Sequence, residues 1–269
     1  MSIIKENFEK MNITKIKNAK SNRKLTVITA YDALFANLFK NIADIILVGD
    51  SLNMSFAGKN DTLSATLDQM IYHTKAVCNG AKEAFVVVDM PFGTYINKDE
   101  ALKNASKVYA KTNAAAVKIE GGEDRADIVE HLTKNSIAVM GHIGLMPQYV
   151  RSEGGYKVRG KDKHDAQQLI KDALAIEKAG AFSIVIEGVM SDVAKEISEA
   201  VNIPTIGIGA GKDTDGQVLV WSDMLGLFEE FKPKFVRDYL DGANLVKEAV
   251  KQYRSDVQNG SFPSKEEEY

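Results

Sequence analysis

Short apolar runs, each ending in a polar residue, recur along this chain. Ile45-Ile46-Leu47-Val48 runs into Gly49-Asp50, Phe85-Val86-Val87-Val88 into Asp89, and Ala115-Ala116-Val117 into Lys118-Ile119-Glu120. Further on, Ile137-Ala138-Val139-Met140 runs into Gly141-His142, and Phe182-Ser183-Ile184-Val185-Ile186 into Glu187. Runs of this length, rich in Val and Ile, predict strands buried on both faces of a parallel sheet. A polar residue at the C-terminal end of such a strand leaves the packed layer, at the edge where parallel α/β folds build active sites. Four carboxylates and a histidine arriving there together predict a metal and acid–base site.

Helical patterns fill the intervals. A first strand is predicted over residues 25–30 and a helix over 32–40. The strand ending at Val48 leads through a loop to a helix over 67–78. Residues 85–88 lead to a helix over 98–111, 115–119 to one over 124–134, and 137–140 through a long loop to one over 164–178. Residues 182–186 lead to a helix over 191–200, and a seventh strand follows over 203–208. A weak eighth strand is placed near 224–228, before a final helix over 234–253. Asp99 or Asn97 is expected to cap the third helix and Ser191 or Asp192 the sixth, with Gly180 as a left-handed stop. Eight βα units with right-handed crossovers and no strong central break favour a closed (β/α)8 TIM barrel over an open sheet.

The length of 269 residues suits one such barrel, read as a single domain over 1–269. Residues 2–20 form a lysine-rich amphipathic segment, expected to be a helix closing the barrel bottom. Residues 261–269 form a short polar tail. The formal net charge is −3 with both signs interspersed, which argues against a nucleic-acid footprint or a polybasic membrane patch. No stretch approaches the ~18 apolar residues of a membrane span, and the first residues lack a signal-peptide core. A cytoplasmic protein is expected. The lone cysteine, Cys78, forms no intrachain disulfide and lies in a helical pattern, as a packing residue would.

Asp50 and Asp89, if their strands are neighbours, emerge about 5 Å apart. Unpaired carboxylates that close repel unless a cation or proton lies between them, and Mg²⁺ meets that need with one or two carboxylates. Glu120 could complete the site directly or through water. Taken singly, each Asp could instead cap the following turn. Lys118 lies two residues before Glu120, so both point to the same side of a strand. It could neutralise a substrate carboxylate or an enolate oxygen, or lie on the helix-facing surface. His142, between glycines, could donate a hydrogen bond to a substrate oxygen. Glu187 could serve as a general base if burial raises its pKa, or form a salt bridge to a loop. Gly121-Gly122 lets the backbone turn close to a ligand. Gly207-Ile208-Gly209-Ala210-Gly211 lacks dinucleotide spacing and fits a tight turn bordering a ligand. Residues 151–160 are long, polar and glycine-containing, as a lid would be.

Six segments in series resemble one family. Leu47-Val48-Gly49-Asp50-Ser51-Leu52, Asp89-Met90-Pro91-Phe92-Gly93, Val117-Lys118-Ile119-Glu120-Gly121-Gly122 and Gly141-His142-Ile143-Gly144-Leu145 are the first four. Gly154-Gly155-Tyr156-Lys157 and Ile206-Gly207-Ile208-Gly209-Ala210-Gly211 complete the set. Together they resemble the 3-methyl-2-oxobutanoate (ketopantoate) hydroxymethyltransferases over roughly residues 10–260. The resemblance implies a barrel of the phosphoenolpyruvate/pyruvate type and the first committed step toward pantothenate. That step moves a one-carbon unit from 5,10-methylenetetrahydrofolate to 3-methyl-2-oxobutanoate, giving 2-dehydropantoate and tetrahydrofolate. It implies Asp50 and Asp89 as Mg²⁺ ligands, one ion per subunit, with Glu120 as a further metal-site carboxylate. It implies Asp50, Ser51, Asp89 and Lys118 as the oxoacid-binding set, His142 as a substrate-site histidine and Glu187 as proton acceptor. A homo-oligomer, commonly a decamer, is implied too. No motif marks a pteridine pocket.

The chain departs from the family pattern at Asn53, where Gly is expected, at Lys59-Asn60, and at Gly188-Val189-Met190, where Cys-Val-Pro is common. None of these removes a charged group proposed for chemistry. Two other readings remain open. One is a lyase or mutase of the same barrel type, whose reactive cysteine would precede Gly141-His142, where this chain has Met140. The other is a catalytically silent barrel that binds a metabolite.

Overall fold

A computed structural model describes residues 10–229 and 232–269. Eight parallel strands close on themselves in chain order: β1 (Leu25–Thr29), β2 (Ile45–Val48), β3 (Phe85–Asp89), β4 (Ala116–Glu120), β5 (Val139–Gly144), β6 (Ser183–Glu187), β7 (Thr205–Ile208) and β8 (Gly216–Leu219). β8 pairs with both β7 and β1, which completes the predicted (β/α)8 barrel. The chain falls into two compact units, residues 1–220, which hold the barrel, and 221–269.

The helices of the first unit are α1 (Ile13–Asn18), α2 (Ala33–Phe39), α3 (Leu52–Ser55), α4 (Leu67–Gly80), α5 (Lys98–Lys111), α6 (Ala126–Lys134), α7 (Lys163–Lys178) and α8 (Ser191–Ala200). Side-chain caps start several of them by satisfying otherwise unpaired backbone N–H groups. Asn97 accepts from Glu100 N at 2.9 Å, Asp32 from Phe35 N at 2.9 Å, and Thr66 closes a capping box with Gln69. The expected cap on α8 is absent. Met190 occupies that position without a side-chain bond, and Asp192 accepts only from its neighbour Val193. Gly180 does adopt φ +95° after α7.

Inside the barrel, period-two positions supply the core. Leu25 and Val27, Ile45 and Leu47, Phe85 and Val87, Ala116, Met140, Val185, Ile206 and Val218 form one apolar cluster. The Phe85 and Phe182 rings meet edge to face, 5.7 Å between centroids. Met11, Ile16 and Ala19 join the same cluster, so α1 packs at the end where the strands begin. Residues 2–9 of that expected helix lie outside the described residues. In β3–β6 the interior series continues one step further as a polar residue: Val87 to Asp89, Ala116 to Lys118 and Glu120, Met140 to His142, Val185 to Glu187. The same alternation that fills the core therefore loads the opposite mouth with charge.

The eighth strand is a correction. It is Gly216–Leu219, not 224–228, and residues 221–224 are helical (α9, Trp221–Met224). Its sequence, Gly-Gln-Val-Leu, carries no apolar run. A Cβ on Gly216 would lie 2.6 Å from Leu25 O and 2.7 Å from Ile206, so only glycine lets β8 slot between β1 and β7. The final helix is displaced as well. α10 spans Gly242–Asn259 instead of 234–253, and residues 232–241 hold neither helix nor strand. Among the described residues no helix is long and apolar enough to cross a membrane.

Candidate active site

The strand register sets the site. Asp89 is level with Lys118, Glu120 with His142, and Gly144 with Glu187, each pair one interstrand spacing apart. Asp50 follows β2 after Gly49, and its backbone N donates to Asp89 Oδ2 at 3.0 Å. A Cβ on Gly49 would stand 2.8 Å from Ser51 Oγ and 3.6 Å from Asp89 Oδ2, so glycine makes this approach possible. Ser51 Oγ lies 2.8 Å from the Tyr31 hydroxyl. All seven residues singled out in the sequence thus lie at the C-terminal ends of β2–β6. Asp50, Asp89, Lys118, Glu120 and His142 are buried, and the Glu187 side chain is 19% exposed.

Lys118 is the hub. Its ammonium lies 3.1 Å from Asp89 Oδ1, 3.0 Å from His142 Nδ1 and 3.9 Å from Glu120 Oε1. Burial opposes its charge, but Asp89, Glu120 and Asp50 overcome that and hold its pKa above the ordinary lysine range. An ammonium only donates, so His142 Nδ1 accepts and the ring proton is on Nε2. That nitrogen lies 3.1 Å from Leu145 O and 3.4 Å from Glu187 Oε2. Burial and the neighbouring ammonium push the pKa of His142 well below its ordinary value, so the imidazole is neutral.

The carboxylates shift the other way. Burial, with the charges of Asp89 and Glu120, pushes Asp50 well above the usual carboxylate range. Burial raises Glu120 to about 8 against the pull of Lys118. It raises Glu187 to about 7, again opposed by Lys118 and reinforced by Asp89.

Gln148, in the 3₁₀ turn after β5, ties the set together and was not singled out by sequence reasoning. Its side-chain amide donates to Asp50 Oδ2 at 2.8 Å and to Met90 O at 3.0 Å, and its backbone N donates to Glu120 Oε2 at 3.0 Å. The Tyr95 hydroxyl donates to its Oε1. The sequence signal for both was only a polar residue in a loop. Asn53, one of the departures, is buried and donates to Asp61 O at 2.8 Å and Ser64 Oγ at 2.9 Å, which braces the loop after α3. Gly188 adopts φ +56°, and Met190 is exposed. In the expected lid, Arg159 pairs with Glu153 and Asp165.

Among the described residues no three His, Cys, Asp or Glu side chains are arranged to hold an ion by themselves. A magnesium site needs less, since Mg²⁺ keeps several waters and takes one or two carboxylates. The donor set fits such an ion: four carboxylates face one ammonium and a neutral imidazole. Asp89 Oδ1, although near Lys118, completes no hydrogen bond of good geometry.

The barrel is similar in fold to 2,3-dimethylmalate lyase, a member of the PEP mutase/isocitrate lyase superfamily (TM-score 0.62, 15% identity, covering 91% of this chain and 86% of that one). It is equally similar to phosphonopyruvate hydrolase, solved in complex with oxalate and Mg²⁺ (TM-score 0.61, 14% identity, 95% and 92%). In sequence the chain is 82% identical over the full length of both chains to 3-methyl-2-oxobutanoate hydroxymethyltransferase of Aliarcobacter butzleri. It is 64% identical to the enzyme of that name from Nitratiruptor sp., over 96% of this chain and 98% of the relative. The family model for ketopantoate hydroxymethyltransferase matches residues 10–265. On these matches the chain belongs to the ketopantoate hydroxymethyltransferase family.

Proposed function

We propose that the protein transfers a hydroxymethyl group from 5,10-methylenetetrahydrofolate to 3-methyl-2-oxobutanoate, giving 2-dehydropantoate and tetrahydrofolate. The observation that carries this reading is the buried Lys118 ammonium, which sits among Asp89, Glu120 and His142 and faces the mouth that Glu187 borders. Asp50 and Asp89 would hold Mg²⁺, with Glu120 reached through water because its Oε2 is committed to Gln148. The ion would supply Lewis-acid polarisation of the oxoacid.

The chain's own groups do the rest. Glu187 takes the C3 proton, a task suited to a carboxylate raised to about 7. Lys118 stabilises the negative charge that then develops on the C2 oxygen. His142, held by Nε2–H on Leu145 O, positions the Lys118 ammonium through Nδ1 at the substrate side of the cluster, and Ser51 and the Asp50 loop orient the oxoacid. The C3–H bond breaks and a C–C bond forms to the one-carbon unit, whose two bonds to the folate N5 and N10 break. A water oxygen becomes the new hydroxyl, and the C3 proton and one water proton end on N5 and N10 of the departing tetrahydrofolate.

The protein is proposed to work in the cytoplasm as a homo-oligomer, by family resemblance a decamer. Val246, Val250, Tyr253 and Val257 form an exposed stripe along α10, the kind of face that copies of a chain bury between them. Light scattering at the mass of a single chain would remove that part of the reading. For the reaction, NMR detection of 2-dehydropantoate with and without Mg²⁺ is the test. Mg²⁺-dependent product is expected; no product from folded, metal-loaded protein would overturn the assignment in favour of a lyase.

A further inference from the structure

A cavity of about 150 Å³ opens beside the charged cluster, between Phe92, Tyr95 and Ile96 on one side and Arg125, Gln148 and Tyr149 on the other. Gln148 is common to both: it lines this cavity and donates to Asp50. The two spaces are therefore one side chain apart. The near wall is apolar and unusually bare, Phe92 being 54% and Ile96 66% exposed. The far wall holds a cation set in place by the backbone. Gly121, at φ +133°, has no Cβ, and one built there would stand 2.3 Å from Arg125 Cγ. The Gly121-Gly122 pair thus lets the Arg125 stem lie across the exit of β4.

Two polar groups in this wall have little but each other. Among the described residues, Arg125 Nε and the Tyr149 hydroxyl are buried without a hydrogen bond of good geometry, and the two side chains interact with one another. The nearest charge to the guanidinium is the Asp124 carboxylate, at a loose 3.4 Å from Nη1. Buried donors of this kind are costly unless a ligand satisfies them. No carboxylate lines the cavity. Its chemistry is an aromatic and aliphatic wall facing poorly satisfied donors, one of them cationic, and it suits a flat ring that carries an anion.

We propose that this cavity binds the p-aminobenzoylglutamate arm of the folate co-substrate, with the ring against Phe92, Tyr95 and Ile96 and a glutamate carboxylate on Arg125. The inference rests on the reaction proposed above, which requires a second reactant to reach the oxoacid from the side. The pterin end is assigned elsewhere because its amino and ring N–H donors call for acceptors such as carboxylates, which this lining lacks. With the arm in the cavity, the pterin end extends toward the Asp50 side, where the methylene carbon must meet C3.

The test uses the full chain with Mg²⁺, in wild type, Arg125→Gln and Phe92→Ala forms. Calorimetry would measure binding of 5-formyltetrahydrofolate, which cannot transfer its carbon, and of p-aminobenzoylglutamate alone. Steady-state kinetics would give KM for each substrate. Expected is a loss of about tenfold or more in affinity for both probes in Arg125→Gln, the scale of a charge-assisted hydrogen bond. A smaller loss is expected in Phe92→Ala, with KM for the oxoacid unchanged in both. Unchanged probe affinity in the two folded variants overturns the proposal, as does an equal rise in KM for the oxoacid. These outcomes leave the reaction standing. A wild-type protein that produces no 2-dehydropantoate sinks the reaction, and this proposal with it.

Discussion

Lys118 Nζ and His142 Nδ1 lie 3.0 Å apart, projecting from adjacent strands of the barrel. The pair defines the protonation of the site: the lysine charged, the imidazole neutral with its proton on Nε2. Replacing Lys118 by Met would leave Asp89, Glu120 and Asp50 without their common cation. Stability is expected to fall by ~3 kcal/mol or more, because breaking a buried ion pair strands the remaining charge. Urea unfolding with and without Mg²⁺ checks this, and the metal is expected to restore part of the loss. A variant as stable as wild type without metal would show that Lys118 does not neutralise the cluster.

Glu187→Gln is expected to retain oxoacid and Mg²⁺ binding while kcat falls by about 10²-fold or more. The base works only when deprotonated. With its pKa raised to about 7, kcat should rise with pH through that region and fall away below it. Rapid-quench rates from about 1.5 pH units below that value to about 2 above it would show the limb in wild type. Near-normal turnover in the variant would remove Glu187 as the base.

Gln148→Ala would remove the side-chain donor to Asp50 Oδ2 and Met90 O while leaving the backbone N–H that Glu120 accepts. Losing such an outer partner typically weakens metal affinity about 10–100-fold. Titration calorimetry of Mg²⁺ should detect this, with Asp89→Asn as the comparison for a direct ligand. If Asp89→Asn leaves the metal requirement unchanged, the ligand role assigned to Asp89 fails.

Asp215 anchors the opposite end of the barrel. It is buried and accepts from Lys20 Nζ at 2.8 Å, Ser21 N at 3.1 Å, Thr205 N at 2.9 Å and Thr205 Oγ1 at 3.0 Å. Burial raises its pKa, but the bonds from Lys20, Thr205 and Ser21 outweigh it and hold the group below its ordinary value. A depressed pKa contributes stability above the unfolded value, near about 3.9, and that stability is lost as pH falls through the folded value. Asp215→Asn is expected to cost ~3 kcal/mol at neutral pH and to flatten the acid limb of the stability curve. Thermal melts from pH 7 downward test both, and an unchanged limb would mean that Asp215 is not the titrating group.

Much of the barrel was legible because burial on both faces demands apolar runs, as in Phe85–Val88, and β2–β6 each carry one. β8 does not. Gly216 is chosen by the crowding of β1 and β7, and that constraint exists only once the barrel has closed. The start of α10 was hidden for a similar reason. Gly242 is a poor helix former, and a Cβ there would stand 2.3 Å from Leu225 O. Gln148 and Tyr95 escaped notice because an uncharged polar residue in a loop carries no periodicity and no charge pattern.

By itself, the sequence determined the alternation that ends the interior series of β3–β6 in Asp89, Lys118, Glu120, His142 and Glu187, and so determined that these side chains share the mouth of the barrel. Period-two geometry is local and survives in any register. Only the tertiary structure decided that Asp89 stands level with Lys118 and Glu120 with His142, that one ammonium serves the cluster, and that Gln148 reaches back across 98 residues to Asp50. Those relations follow from strand stagger and from burial, which sets the dielectric around each charge. Both are properties of the closed barrel and not of any segment within it.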